Sequence, residues 1–267
     1  MVGFLMIDEI RLSYSSMKDA GACLRRYYYR VKKPKSAIAN VHMVFGSIVH
    51  DSIERLEKKD REVGKLIGWS LHEWERKMAS SGRGFLDKLP KPPKSFKRMY
   101  ENYTELIRPR LNTPAEEDSV EKFFKIPLDY PHLDANICFV GKIDRIDNGN
   151  IYDWKTSGML PDVYDLSETQ FFAYWWAYRQ LFKENPKGVF YGHLNSGNVY
   201  NISMDTTLLT NFEVLLDNRA EMLYNAWKHN EFPRDTGYQC KGCVYRTVCY
   251  GDLVQEGMEE SEREACR

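Results

Sequence analysis

Val140-Gly-Lys-Ile-Asp144-Arg-Ile-Asp-Asn148-Gly149-Asn-Ile-Tyr-Asp153-Trp-Lys155 reads as two alternating runs around Asn148-Gly149. Asn-Gly between alternating runs is a strong hairpin signal, because both residues accept the positive φ that a type I′ turn requires. A turn centred there sets the register: Asp144 opposite Asp153 and Lys142 opposite Lys155, all on one face. Opposed side chains have Cβ atoms about 4.5–5.5 Å apart, and like charges at that separation destabilise a sheet. Two opposed aspartates therefore need a neutralising partner, which a divalent cation would supply. Lys155, two residues beyond Asp153 and on the same face, is placed to orient a water or neutralise developing charge. The plainer reading is a solvated face in which Lys155 pairs with Asp153 or Asp144.

Outward from the hairpin, Val120 to Tyr130, Asn136 to Asp147, Asn150 to Thr156, Gly188 to Leu194 and Asn198 to Met204 read as strands. A helix is expected at about 167–183, between the third and fourth of these, and another at about 207–229. Ahead of the strands, Ser13, Ser15 and Ser16 precede a helical stretch carrying Cys23. Apolar residues at 41, 44, 45, 48, 49, 53 and 56 give helical periodicity over Val41 to Lys58. Further helices are expected near 65–79 and 95–110, separated by Ser80-Ser81-Gly82-Arg83-Gly84 and Pro90-Lys91-Pro92-Pro93. This order predicts an α/β fold: a mixed sheet core flanked by helices, with a helical N-terminal part.

The chain has 267 residues, 43% hydrophobic and 28% charged, with 38 basic and 38 acidic side chains. That balance excludes a disordered chain, and no stretch approaches the roughly 18 consecutive apolar residues of a membrane span. Met1 to Ile10 has no basic leader of the kind that opens a secretory signal, so the expected location is cytoplasmic. Zero net charge alone argues mildly against a nucleic-acid partner.

Of six cysteines, three crowd into Cys240-Lys-Gly-Cys243-Val-Tyr-Arg-Thr-Val-Cys249. Two thiols three residues apart on one loop can address a single ion or cluster. Cys23 is the candidate fourth ligand by type. The alternatives are a zinc knuckle with another ligand and buried free thiols. Cys138 reads as core and Cys266 as a bystander. Gly46-Ser-Ile-Val-His50 places a histidine on a helix four residues after a glycine, offering a third ligand to the two aspartates. Gln170-Phe-Phe-Ala-Tyr174 puts a glutamine and a tyrosine on one helical face.

Together Gly46-x-x-x-His50, Gly141-x-x-Asp144, Asp153-x-Lys155 and Gln170-x-x-x-Tyr174, flanked by Cys23 and by Cys240, Cys243 and Cys249, resemble the RecB-family branch of PD-(D/E)XK nucleases over residues 13 to 250. The resemblance is to iron–sulfur members: the CRISPR-associated RecB-like exonuclease and its phage relatives and, more distantly, the AddB nuclease domain. It implies a restriction-endonuclease-like fold in a single nuclease domain. Residues 1–115 would be its mainly helical part, 116–232 the α/β core, 233–252 the cysteine loop joined by Cys23, and 253–267 an acidic tail. It implies that His50, Asp144, Asp153 and the Trp154 carbonyl hold Mg²⁺ or Mn²⁺, that Lys155 activates the attacking water, and that Gln170 and Tyr174 support the site. The four cysteines would hold a [4Fe–4S] cluster. Two departures from the commonest pattern are aspartate at position 153, where glutamate is frequent, and Leu24 in place of a proline after the first cysteine.

The expected activity is metal-dependent exonucleolytic hydrolysis of DNA, acting on single-stranded ends, in recombination, repair or CRISPR adaptation. Proteins of those processes are the expected partners. The competing reading is a DNA-end-binding or adaptor protein that grips without cleaving; the intact Lys155 favours the enzyme. Divided by segment, the neutral total becomes consistent with DNA. Residues 76–110 carry ten bases against three acids, and residues 18–35 carry seven against one. Arg25, Arg26 and Tyr28 in the second stretch, with Tyr27 and Tyr29 beside them, and Lys94, Lys97 and Arg98 in the first, are the expected backbone and base contacts.

Overall fold

The computed structural model describes residues 9–38, 41–59, 62–80, 92–111 and 119–255. In chain order its strands are β1 (Glu9–Leu12), β2 (Val120–Leu128), β3 (Asn136–Asp147), β4 (Asn150–Lys155), β5 (Gly188–His193) and β6 (Asn198–Asn201). The helices are α1 (Tyr14–Ala22), α2 (Leu24–Lys32), α3 (Val41–Lys59), α4 (Val63–Ser80), α5 (Ser95–Asn102), α6 (Val163–Leu166), α7 (Thr169–Phe182), α8 (Thr206–His229) and α9 (Arg246–Gln255). The sheet is mixed, in the order β1-β3-β4-β5-β6 with β2 also paired to β3. A mixed sheet flanked by helices is the expected α/β class. The chain forms two compact units, one of residues 1–40, 127–140 and 214–267, the other of 41–126 and 141–213, and β2, β3 and α8 run from one into the other.

In the first unit β1 runs parallel to the start of β3, from Glu9 beside Asn136 to Leu12 beside Phe139. The first ten residues show only a short apolar patch in the sequence, and four residues of strand are too few to display a period. Ser13 caps α1, accepting the Ser16 N–H while the Ser16 hydroxyl accepts the Ser13 N–H. The expected single helix through Cys23 is instead two, because Cys23 is extended (φ −171°, ψ 120°), closing α1 and opening α2. For Tyr27 and Tyr29 the stacking expectation is corrected. Tyr27 and Tyr29 are buried, and Tyr28 lies 5.0 Å from the Phe232 ring and 6.1 Å from Trp227. The aromatic face of α2 is core. Cys138 is buried, as expected of a core residue; Cys266 and the acidic tail beyond Gln255 lie outside the described residues.

In the second unit Asn148 (φ 47°) and Gly149 (φ 82°) make the expected turn, and Asp147 pairs with Asn150, Ile146 with Ile151 and Arg145 with Tyr152. β4 then pairs in parallel with β5 over Asn150–Lys155, α7 supplying the crossover that parallel neighbours need. β5 and β6 close as an antiparallel pair. The buried faces of α3 (Ile48, Val49, Ile53, Leu56), α4 (Leu66, Trp74, Met78) and α5 (Phe96, Met99, Tyr100) supply the helical part of this core. A buried hydroxyl chain ties these helices together: Ser52 of α3, Ser70 of α4 and Tyr100 of α5 lie 2.7–3.1 Å apart. The helix expected over 95–110 is regular only to Asn102. It continues as a π turn over Tyr103–Ile107 and a 3-10 turn over Arg108–Arg110, where Pro109 cannot donate to a continuing ladder. Arg83, Lys88 and Lys91 of the basic segment lie outside the described residues.

Candidate active site

Within the second unit, α3 brings His50, β2 Glu121, β3 Asp144, β4 Asp153 and Lys155, and α7 Gln170 and Tyr174 to one place. Gly46, one turn before His50, faces the end of β4: a Cβ on it would stand 3.6 Å from Thr156 Oγ1. A Cβ at that distance makes ordinary van der Waals contact, so the approach of α3 to the strand end does not depend on this glycine.

The hairpin register holds as far as Arg145↔Tyr152, and there the ladder stops. Beyond it the Trp154 N–H donates not across the ladder to Ile143, its partner by the same register, but to Asp144 Oδ2, at 2.7 Å. Asp144 and Asp153 are thus neighbours at a parting of the strands rather than a bonded cross-strand pair. The lysines are not opposed either. Lys142 pairs with Glu121, whereas Lys155 Nζ lies 2.8 Å from Asp153 Oδ2. Trp154 meets the site through its N–H, and its indole is buried over Gly192, where a Cβ would collide with the ring.

Lys155 is held from α7. Its ammonium donates to Gln170 Oε1 at 2.6 Å, the Gln170 amide donates to Tyr174 Oη at 2.7 Å, and Glu168 Oε2 stands 3.9 Å from Nζ. Burial would lower the Lys155 pKa, but Asp153, Glu168 and Asp144 raise it, so the side chain stays an ammonium. Gln170 and Tyr174, at i and i+4 on α7, are thus linked to the lysine by a chain of two hydrogen bonds.

The carboxylates differ in charge state. Burial and the proximity of Asp144 push Asp153 up to about 6 against the pull of Lys155. For Asp144 burial is outweighed by His50 and by the Trp154 N–H, so its pKa is lowered. His50 is raised well above the ordinary imidazole value: burial opposes this, but Asp144 at 3.4 Å and Glu121 at 3.9 Å prevail. One ligand atom each of His50, Glu121 and Asp144 lie within 4.8 Å of one another, a set of hard oxygen donors and one imidazole that suits Mg²⁺ or Mn²⁺. Asp153 lies outside that trio, turned to Lys155.

Glu121 had no role in the reading of the sequence. Strand alternation puts it with Phe123 and Lys125 on the outer, exposed face, yet its side chain is 7% accessible. A positive φ of 53° takes it off the alternation, and no spacing in the sequence announces that.

The proposed nucleic-acid residues fall in two places. In the second unit, Lys94, Lys97 and Arg98 are exposed on and just before α5. Arg98 donates to Asn195, which in turn donates to the Gly158 carbonyl in the segment after Lys155. In the first unit, Arg25 and Arg26 line a pocket with Cys23, Cys240, Cys243 and Cys249, and Arg26 pairs with buried Asp19 at 2.6 Å. All four cysteines named from the sequence thus line one pocket, as free thiols. Cys23 Sγ accepts the Asp235 N–H at 3.4 Å, and Cys240 ends the 3-10 turn Tyr238–Cys240, its N–H donating to the Gly237 carbonyl. Burial raises the Cys243 pKa, and Cys23 and Cys240 add to the shift while Arg26 opposes it.

Residues 11–250 match the family model of the PD-(D/E)XK nuclease superfamily. No curated protein matches. Among solved structures, the crystal structure of SSO0001 is similar to this chain at 15% identity, covering 91% of this chain and 86% of that one, with a TM-score of 0.36. A likeness that loose carries no argument here. Among the described residues no helix is long and apolar enough to cross a membrane.

Proposed function

Because the chain belongs to the PD-(D/E)XK nuclease superfamily, we propose that it is a metal-dependent deoxyribonuclease of the RecB-like branch that degrades DNA from single-stranded ends. The observation that carries this reading is the convergence of Asp144, Asp153, Lys155 and His50 with the Lys155–Gln170–Tyr174 chain of hydrogen bonds. A divalent cation held by Asp144, Asp153, His50 and the Trp154 carbonyl supplies Lewis-acid activation of the phosphate and of a water when bound. Lys155 keeps a positive charge beside the scissile phosphate and orients the attacking water. Gln170 and Tyr174 fix the lysine, so the ammonium needs no rearrangement as charge develops. Lys94, Lys97 and Arg98 lead the backbone toward the site by charge.

The cysteine pocket is proposed to hold a [4Fe–4S] cluster with a structural role. Its support is the gathering of four thiols on one pocket.

The test is digestion of end-labelled linear single strands, linear duplexes and circular single strands in Mg²⁺ or Mn²⁺. Loss of the linear single strands with survival of the circles is the expected result. Binding of the linear molecules but not of the circles, with no metal-dependent loss of any, would instead identify an end-binding or adaptor protein.

A further inference from the structure

We infer that Glu121 is a ligand of the catalytic cation, presented to it by Lys142, a positioning residue. This rests on the proposed metal-dependent nuclease and adds a member to its metal site. The two oxygens of the Glu121 carboxylate are divided between two neighbours. Oε2 is taken by the Lys142 ammonium, while Oε1 faces His50 Nδ1 at 3.9 Å. His50 Nδ1 in turn lies 3.4 Å from Asp144 Oδ1.

Those separations suit one small cation. Octahedral coordination at about 2.0–2.1 Å places adjacent ligand atoms about 3 Å apart and opposite ones about 4 Å apart. Three donors already within 4.8 Å need only small side-chain movements to close on it. Asp153 is not in the trio, so Glu121 stands nearer to His50 and Asp144 than the sequence motifs would place any third donor.

The local backbone serves this placement. By strand alternation Glu121 belongs with Phe123, whose side chain is 64% exposed. The left-handed conformation at Glu121 costs about 1 kcal/mol or more for a residue with a Cβ. It turns the carboxylate inward to the histidine and to Lys142, two residues before Asp144 on β3.

Lys142 neutralises Oε2, lowering the repulsion between Glu121 and Asp144 and leaving Oε1 for the cation. Its own side chain is half exposed, so solvent and metal reach this side of the site.

The experiment is Mn²⁺ titration of the full chain without DNA, followed by calorimetry and by the electron paramagnetic resonance of bound Mn²⁺. The wild type is compared with Asp144→Asn, Glu121→Gln, Glu121→Asp and Lys142→Met. Asp144→Asn should abolish binding, Glu121→Gln should weaken it by about 10–100-fold and Lys142→Met by a few-fold. If Glu121→Gln fails to fold, Glu121→Asp, which keeps the charge but withdraws the oxygen, should show the same loss in smaller measure. A wild type that takes up no Mn²⁺, or an Asp144→Asn protein that binds it normally, overturns the underlying metal site. Loss in Asp144→Asn with wild-type affinity in both folded Glu121 variants overturns the role of Glu121 alone.

Discussion

In the second unit Asp153 and Lys155 stand on a strand with neighbours on both sides, and every functional side chain is already engaged with another before any ligand arrives. In the first unit the cysteines stand at a helix junction, at the end of a 3-10 turn, in the loop after it and in the first turn of α9, and the Cys23 and Cys240 sulfurs meet backbone groups only at 3.4 and 3.9 Å. The contrast separates two ways of building a site. Ladders and helix faces fix directions without a ligand, so the carboxylate–lysine group is pre-organised. Turns and caps bring chain segments together but leave the final geometry to whatever the thiolates bind.

The largest expected effect that would sharpen this contrast is on Lys155→Ala. Cleavage should fall on the order of 10³-fold, a loss larger than the change in Mn²⁺ affinity or thermal midpoint that follows from leaving Asp153 without its ammonium partner. Steady-state rates together with a Mn²⁺ titration check it.

Cys23→Ser or Cys249→Ser should act in the opposite pattern. Iron and sulfide content should fall to background and the melting midpoint should drop, because binding free energy at such a site is folding free energy. Cys138→Ser, at a buried position away from the pocket, should keep the iron. A colourless wild-type protein containing zinc would break this half of the comparison.

Gln170→Ala should slow cleavage roughly tenfold. The pH profile should move with it, since the glutamine acts by holding the Lys155 ammonium.

The ion-free carboxylate site also predicts a pH dependence with a definite sign. Asp153 is raised to about 6 and His50 well above its ordinary value. The stability Asp153 gives is complete only below the ordinary carboxylate value and is lost as the pH rises from there through about 6, whereas that of His50 is complete below the ordinary imidazole value and is lost as the pH rises through its higher folded value. The chelator-treated protein should therefore melt lower at pH 8 than at pH 5.5, and added Mn²⁺ should raise the midpoint more at pH 8. Asp153→Asn should flatten the difference.

The smallest effect is that of Gly149→Ala. Its φ of 82° disfavours a Cβ, so a loss of about 1 kcal/mol is expected by denaturant titration, with no change in iron content.

Most of the scaffold was legible because its signals are local. Asn148-Gly149 fixed the hairpin, and with it the closeness of Asp144 and Asp153. The i, i+4 spacing of Gln170 and Tyr174 gave the support for Lys155, and the close cysteine spacing gave the pocket. What escaped depends on departures from regularity. The parting of β3 and β4 at Asp144 arises because a side chain replaces a ladder acceptor for the Trp154 N–H. Glu121 was hidden because alternation assigns it to solvent and only its positive φ reverses that. Tyr27 and Tyr29, interleaved with bases, looked like stacking platforms; a nine-residue amphipathic helix buries them, and charge counting alone does not reveal its inner face.

The central claim is that the carboxylate–lysine group is a phosphodiesterase site. It is tested most directly by release of acid-soluble nucleotides from uniformly labelled linear single-stranded DNA. Wild type and Asp153→Ala should be compared side by side in Mn²⁺ and in excess chelator. The account predicts release by the wild type in Mn²⁺ only and none by Asp153→Ala; equal release by both proteins, or release that persists in chelator, would contradict it.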